Sequence, residues 1–141
     1  MNKQNPIGTY GYIAMKRLKS AEKNLDIVNN RIILNDIAHL KENWNDNKAN
    51  PFPSSLIEKC TNLINQLEVQ PFISPTACGA IQMEYEKENG DYLELEVYSE
   101  RIEVYQVINN IGHEETLTSS NYLNEVNRIV SDFLKCNPSK D

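Results

Sequence analysis

Nowhere in its 141 residues does the chain hold an apolar run approaching the roughly 20 residues needed to span a bilayer. The opening Met1-Asn2-Lys3-Gln4-Asn5-Pro6-Ile7-Gly8 also lacks the uninterrupted apolar core of a secretory signal. A cytoplasmic protein with no membrane association is therefore expected. Cysteine is sparse: Cys60, Cys78 and Cys136 form an odd, widely spaced set without a Cys-x-x-Cys, which argues for free thiols and against a disulfide framework. Histidine is limited to His39 and His113, neither in a metal-ligand spacing. With only five glycines there is no Gly-rich phosphate loop, and no Ser-His-Asp or Cys-His pairing stands out. Positive charge is also short, 14 Lys and Arg against 20 Asp and Glu, and the net charge of -6 argues against nucleic acid as a partner. No cofactor and no catalytic residue is expected from these patterns.

What the chain does have is alternation. Residues 80 to 107 read as three adjoining strands, Ala80 to Glu86, Asp91 to Tyr98 and Arg101 to Val107, in which apolar and polar positions alternate almost without error. Side chains of a strand point to opposite faces with period two, so Ile81, Met83, Tyr85, Leu93, Leu95, Val97, Ile102 and Val104 can share one buried face. The other face then collects Glu84, Glu86, Glu94, Glu96 and Glu103, with Tyr92, Tyr98 and Tyr105 among them. Glu88-Asn89-Gly90-Asp91 and Ser99-Glu100-Arg101 are short turns, so the segment predicts an antiparallel meander.

The flanks read as helices. Residues 1 to 12 carry Pro6, Gly8 and Gly11 with little periodicity and suggest an irregular arm. Leu18, Ala21, Leu25, Val28 and Ile32 then recur at intervals of three and four, and Ile33, Ile37, Leu40 and Trp44 repeat the spacing in another phase. The slip falls beside Asn29-Asn30, which leaves one bent helix or two short ones open. The first stripe fits either packing on the chain's own core or pairing with a second copy, a homodimer, and in the latter case the protein could be a purely structural homo-oligomeric subunit. After Asn45 to Pro51, a loop by composition, Ser55 and Glu58 fit a capping box for a helix whose apolar face is Leu56, Ile57, Cys60, Leu63, Ile64 and Leu67. Phe72 to Thr76 reads as an extended lead-in and Ile108 to His113 as a turn region, with a fourth strand from Glu114 to Thr118. A final helix presents Leu123, Val126, Ile129, Val130, Phe133 and Leu134 on one side, capped by Ser120 or Asn121 and stopped by Pro138. Length and composition fit one domain over 1–141. The expected fold is α+β, an antiparallel meander of three to four strands with N-terminal helices and a C-terminal helix packed on one sheet face.

The stretch Trp44-Asn45-Asp46-Asn47-Lys48-Ala49-Asn50-Pro51, a helix, then Ser74-Pro75-Thr76-Ala77-Cys78-Gly79 leading into an acidic-aromatic strand, resembles a family of small bacterial and phage proteins. Their pattern is a Trp-Asp-Gly-like loop ending in Ala-x-Pro, followed by a Pro-Thr-x-x-Gly turn. This chain carries Asn45 in place of Asp, and Asp46 and Lys48 in place of Gly. The resemblance covers about residues 40 to 100; it implies the fold outline, and no activity attaches to it.

Two functional readings follow from the alternation. Tyrosines interleaved with carboxylates suit a protein-binding face for a basic partner, through Glu84, Tyr92, Glu94, Glu96, Tyr98, Glu103 and Tyr105. The second reading is a hydrolase in which Glu84, Glu94 and Glu96, with Glu103, gather Mg²⁺ or Mn²⁺. Lys87 and Arg101 are placed to relieve some of the repulsion among these acids. Cys60, on an apolar helical face, reads as a core residue, and Trp44 as an anchor at a helix end.

Overall fold

The alternating residues 81 to 104 pair in the register that keeps Ile81, Met83, Tyr85, Leu93, Leu95, Val97, Ile102 and Val104 on one side, while Val107 falls on the other, opposite Tyr92. A computed structural model describes the backbone of residues 6–135 and the side chains of residues 18–135. In it β2 (Ile81–Glu86) pairs antiparallel with β3 (Tyr92–Val97), placing Met83 opposite Leu95 and Tyr85 opposite Leu93. β3 pairs likewise with β4 (Ile102–Ile108), placing Leu95 opposite Val104 and Val97 opposite Ile102. All eight residues expected on the inner face are buried.

The sheet has five strands in the order β1-β2-β3-β4-β5, one more than the upper expectation. β1 (Phe72–Pro75), read from sequence as a lead-in, pairs with β2 through four residues. β5 (Ile111–Leu117) begins well before Glu114, because the connection from β4 is only Asn109-Asn110. Both asparagines hold left-handed backbone, φ 53° and 66°, as a two-residue hairpin turn with the right twist demands. His113 therefore lies on a strand. At the turn between β2 and β3 only Gly90 is left-handed, φ 94°, so that Asn-Gly pair makes a three-residue loop. Asp91, buried, spans the two turns: its Oδ1 accepts the Asn109 N–H at 3.0 Å, and Asn89 Nδ2 donates to its Oδ2 at 3.4 Å.

One cluster forms the core between the inner sheet face and the helices. α2 (Ser54–Gln66) contributes Leu56, Cys60, Leu63 and Ile64, and α3 (Tyr122–Lys135) contributes Val126, Ile129, Val130 and Phe133. The expected capping box is not formed: the residue before α2 is Pro53, whose carbonyl accepts the N–H groups of Leu56 and Ile57, and no side chain caps the turn. At the start of α3 the Glu125 N–H donates to the Asn121 carbonyl, and Asn121 Oδ1 accepts from the side chain of Asn124.

α1 (Pro6–Ala38) is a single 33-residue helix. The expected irregular arm is overturned over residues 6 to 12, since a proline is well suited to the first helical turn, where its missing N–H costs nothing. Residues 1 to 5, like Cys136 and Pro138, lie outside the described residues. No break falls at Asn29-Asn30. Asn30 is buried and donates through Nδ2 to Gln70 Oε1 and to the Pro71 carbonyl, both at 3.0 Å, so tertiary hydrogen bonds outweigh its poor helix propensity. Leu34 and Ile37 carry α1 into the core.

After α1 the chain turns through Asn43 to Pro51. Trp44 packs at a 5.9 Å centroid distance from Phe52, donates Nε1 to the Asn50 carbonyl and is partly buried against the core, so it ties this loop to itself and to the interior. Asp46 and Lys48, where the resembled pattern has glycine, are both left-handed, φ 59° and 67°. A left-handed residue with a Cβ is strained by about 1–2 kcal/mol, partly offset by its smaller entropy loss on folding relative to glycine. Lys48→Gly is therefore expected to stabilise the protein by about 0.5–1 kcal/mol, read as a higher urea midpoint at unchanged slope.

Candidate functional site

On the outer face the register assembles two transverse rows. One runs Phe72, Glu84, Glu94, Tyr105, Glu114, and the next Ser74, Gln82, Glu96, Glu103, Thr116. None of these residues is buried, and no described helix covers them. Of the sequence-predicted residues, Glu84, Tyr92, Glu94, Glu96, Tyr98, Glu103 and Tyr105 all share this one side. The sequence reading missed Phe72, 64 % exposed at the edge, and Glu114. Glu114 becomes visible only if the alternation is restarted at Ile111.

The rows set Glu84 directly opposite Glu94 and Glu96 opposite Glu103. Like charges in that position repel, and neighbouring side chains answer most of it. The Tyr92 hydroxyl lies 2.5 Å from Glu84 Oε2 and 2.7 Å from Glu94 Oε1, and its single proton serves one carboxylate at a time. Burial and these two acceptors hold its pKa far above the ordinary phenolic range. Gln82 Nε2 donates to Glu84 Oε2 at 2.9 Å. Arg101 donates to Glu103 through Nε at 2.6 Å and to Glu100 through Nη1 at 2.5 Å, while its guanidinium lies 3.9 Å from the Tyr98 ring centroid. Lys87 sets its ammonium 4.7 Å from the centroid of Phe133, a core residue of α3.

Glu96 is left with the least help. Burial, then the charges of Glu94 and Glu103, raise its pKa, with Arg101 opposing. Glu94, Glu96, Glu103, Tyr105, Glu114 and Thr116 line a shallow depression of about 360 Å³. Among the described residues no three His, Cys, Asp or Glu side chains are grouped to hold a metal ion, so the Mg²⁺ reading finds no preformed ligand set. The depression is chemically an acceptor surface with an aromatic rim.

At one end of the face, Cys78 Sγ lies 3.3 Å from Thr76 Oγ1 and 3.6 Å from the Tyr98 hydroxyl. Those two hydrogen bonds lower the pKa of this exposed thiol, and Tyr98 is in turn pushed up to about 12. Cys60 is buried in the core, and its thiol is pushed up to about 12 by that burial. His39 is exposed, its Nδ1 lying 2.7 Å from the Asn35 carbonyl oxygen.

Comparison of the chain with protein-family models, with curated proteins and with solved structures finds no match.

Two outcomes are expected from this geometry. A carboxylate whose folded pKa is raised weakens the fold as pH rises above its ordinary value of 4.5. Glu96→Gln should accordingly stabilise the protein by about 0.2–1 kcal/mol at pH 7, an advantage that fades toward pH 4 in denaturant titrations. Alkylation at pH 8 followed by peptide mapping should find Cys78 modified at least about tenfold faster than Cys60.

Proposed function

We propose that this is a small cytoplasmic protein-interaction module that offers the acidic, tyrosine-bearing outer sheet face to a basic protein partner, as an accessory, inhibitory or immunity-type factor does. The observation that carries the reading is that, among the described residues, none of the outer-face positions of the two rows is buried. Glu84, Glu94, Glu96 and Glu103 share this face, and Arg101 is hydrogen-bonded to Glu103. Lysine or arginine from a partner would relieve the repulsion at Glu94 and Glu96, and Tyr92, Tyr98 and Tyr105 supply rigid contact area at small entropic cost. Phe72 adds an apolar contact at the margin. A further support is that both sheet edges are poorly suited to strand addition: β1 is short and ends in Pro75, and β5 carries Glu114 and Glu115. Recognition through the face is then favoured over recognition through an edge.

The test compares capture from host lysate by the wild type and by a variant carrying Glu84→Gln, Glu94→Gln, Glu96→Gln and Glu103→Gln. A partner held by wild type, released by raising salt from 0.1 to about 0.5 M and bound at least about tenfold more weakly by the folded variant, is the expected result. Equal capture by both proteins would overturn the assignment.

A further inference from the structure

α1 carries two apolar stripes, and only one is used by the body. Ile27, Ile33, Leu34 and Ile37, with Asn30, face the body and are buried or half-buried. Leu18, Leu25, Val28 and Ile32 are 62 %, 58 %, 44 % and 54 % exposed. At about 100° per residue, Leu25 stands roughly 180° around the helix from Leu34, so the second stripe looks directly away from the body.

The open stripe follows a strict heptad. With Leu18, Leu25 and Ile32 at a, Ala21 and Val28 take d, and continued back along the helical backbone the same frame passes through positions 14, 11 and 7, which are Ala, Gly and Ile. A seam this narrow is the pattern of a two-stranded coiled coil, and the body occupies the opposite b, c and f positions. We propose that α1 pairs in parallel, in register, with α1 of a second copy.

Charge complementarity selects that occupant and that direction. The g positions 17, 24 and 31 are Arg, Asn and Arg, and the e positions 22, 29 and 36 are Glu, Asn and Asp. In a parallel pair each g meets the partner's following e: Arg17 with Glu22, Asn24 with Asn29, Arg31 with Asp36. An antiparallel pair would set g against g and e against e, matching arginine with arginine and acid with acid. Asn65 of α2 accepts Arg31 Nε and Nη2 at 3.2 and 2.9 Å, which leaves Nη1 outside that contact. With the bodies on the outer sides of the two helices, a twofold axis along the seam brings no described core residue into it. The dimer is independent of the acidic face.

Multi-angle light scattering on the full chain should give twice 16.2 kDa at micromolar concentration. Leu25→Glu with Val28→Glu should raise the dissociation constant at least roughly 100-fold while leaving the urea transition of the body in place. A second pair of variants guards against misfolding: Glu22→Arg with Asp36→Arg, and Arg17→Glu with Arg31→Glu, should each be monomeric alone and dimerise when mixed. In a Cys78→Ser, Cys136→Ser background, Ala21→Cys and Val28→Cys should each cross-link to its own copy on oxidation, since both d positions face themselves only in the parallel register. A monomer at every concentration up to about 100 µM overturns the proposal, whatever else then covers the stripe. So does a dimer that survives the glutamate variant, and so does cross-linking at only one or neither of the two cysteine positions.

Discussion

Everything in this molecule depends on the register of β2, β3 and β4. A slip of one residue in any of them would turn Met83, Leu95 or Val104 and its neighbours to water and drive Glu84, Glu94 or Glu103 into the core. Each large apolar side chain lost from the interior forgoes about 1.5–3 kcal/mol, and a buried unpaired carboxylate adds several more. That asymmetry is large against the total stability of a small domain, so the same alternation that closes the core also gathers the carboxylates on the far side. The acidic face is thus a by-product of strand pairing as much as a feature in its own right. Its repulsion is tolerated because Tyr92, Gln82 and Arg101 are supplied by the same strands or by their turn.

Period-two alternation made the inner and outer faces of β2 to β4 legible in the sequence residue by residue. The same rule failed at the two edges for separate reasons. Phe72 to Pro75 is short and ends in proline, and so reads only as an extended lead-in until a neighbour is known to pair with it. In β5 the turn chemistry was mistaken: Asn109-Asn110 alone turns the chain, whereas Ile111 to His113 looked polar and irregular because neither face of that strand is covered until Leu117. Helix periodicity located the open stripe of α1 and, through Ile33 and Ile37, part of the core-facing one, but it passed over Leu34 and ran on through Leu40 and Trp44, beyond the helix end at Ala38. On the core-facing side, beside Leu34 and Ile37, stands Asn30, a residue of low helix propensity whose value lies in bonds to Gln70 and Pro71 some 40 residues away. Long-range partners of this kind leave no trace in a local pattern.

The two proposed surfaces stand on different elements and use different physics. The outer sheet face is charged, wide and shallow, suited to fast and salt-sensitive encounters. The α1 seam is narrow and apolar, suited to a lasting union. Together they would give a particle with two acidic faces, and a partner that is itself repeated would be held by both at once, with avidity above that of either face.

Asp91 ties together parts of the chain that the fold otherwise treats as separate. Its carboxylate reaches the backbone of the β4–β5 turn from within the β2–β3 turn, so neither tip can open without stripping the other of a hydrogen bond. Loop tips ordinarily fray one at a time, and their amides exchange with solvent independently. Here the end of the sheet is a single breathing unit, and a length change in one hairpin would be felt as loosened protection in the other.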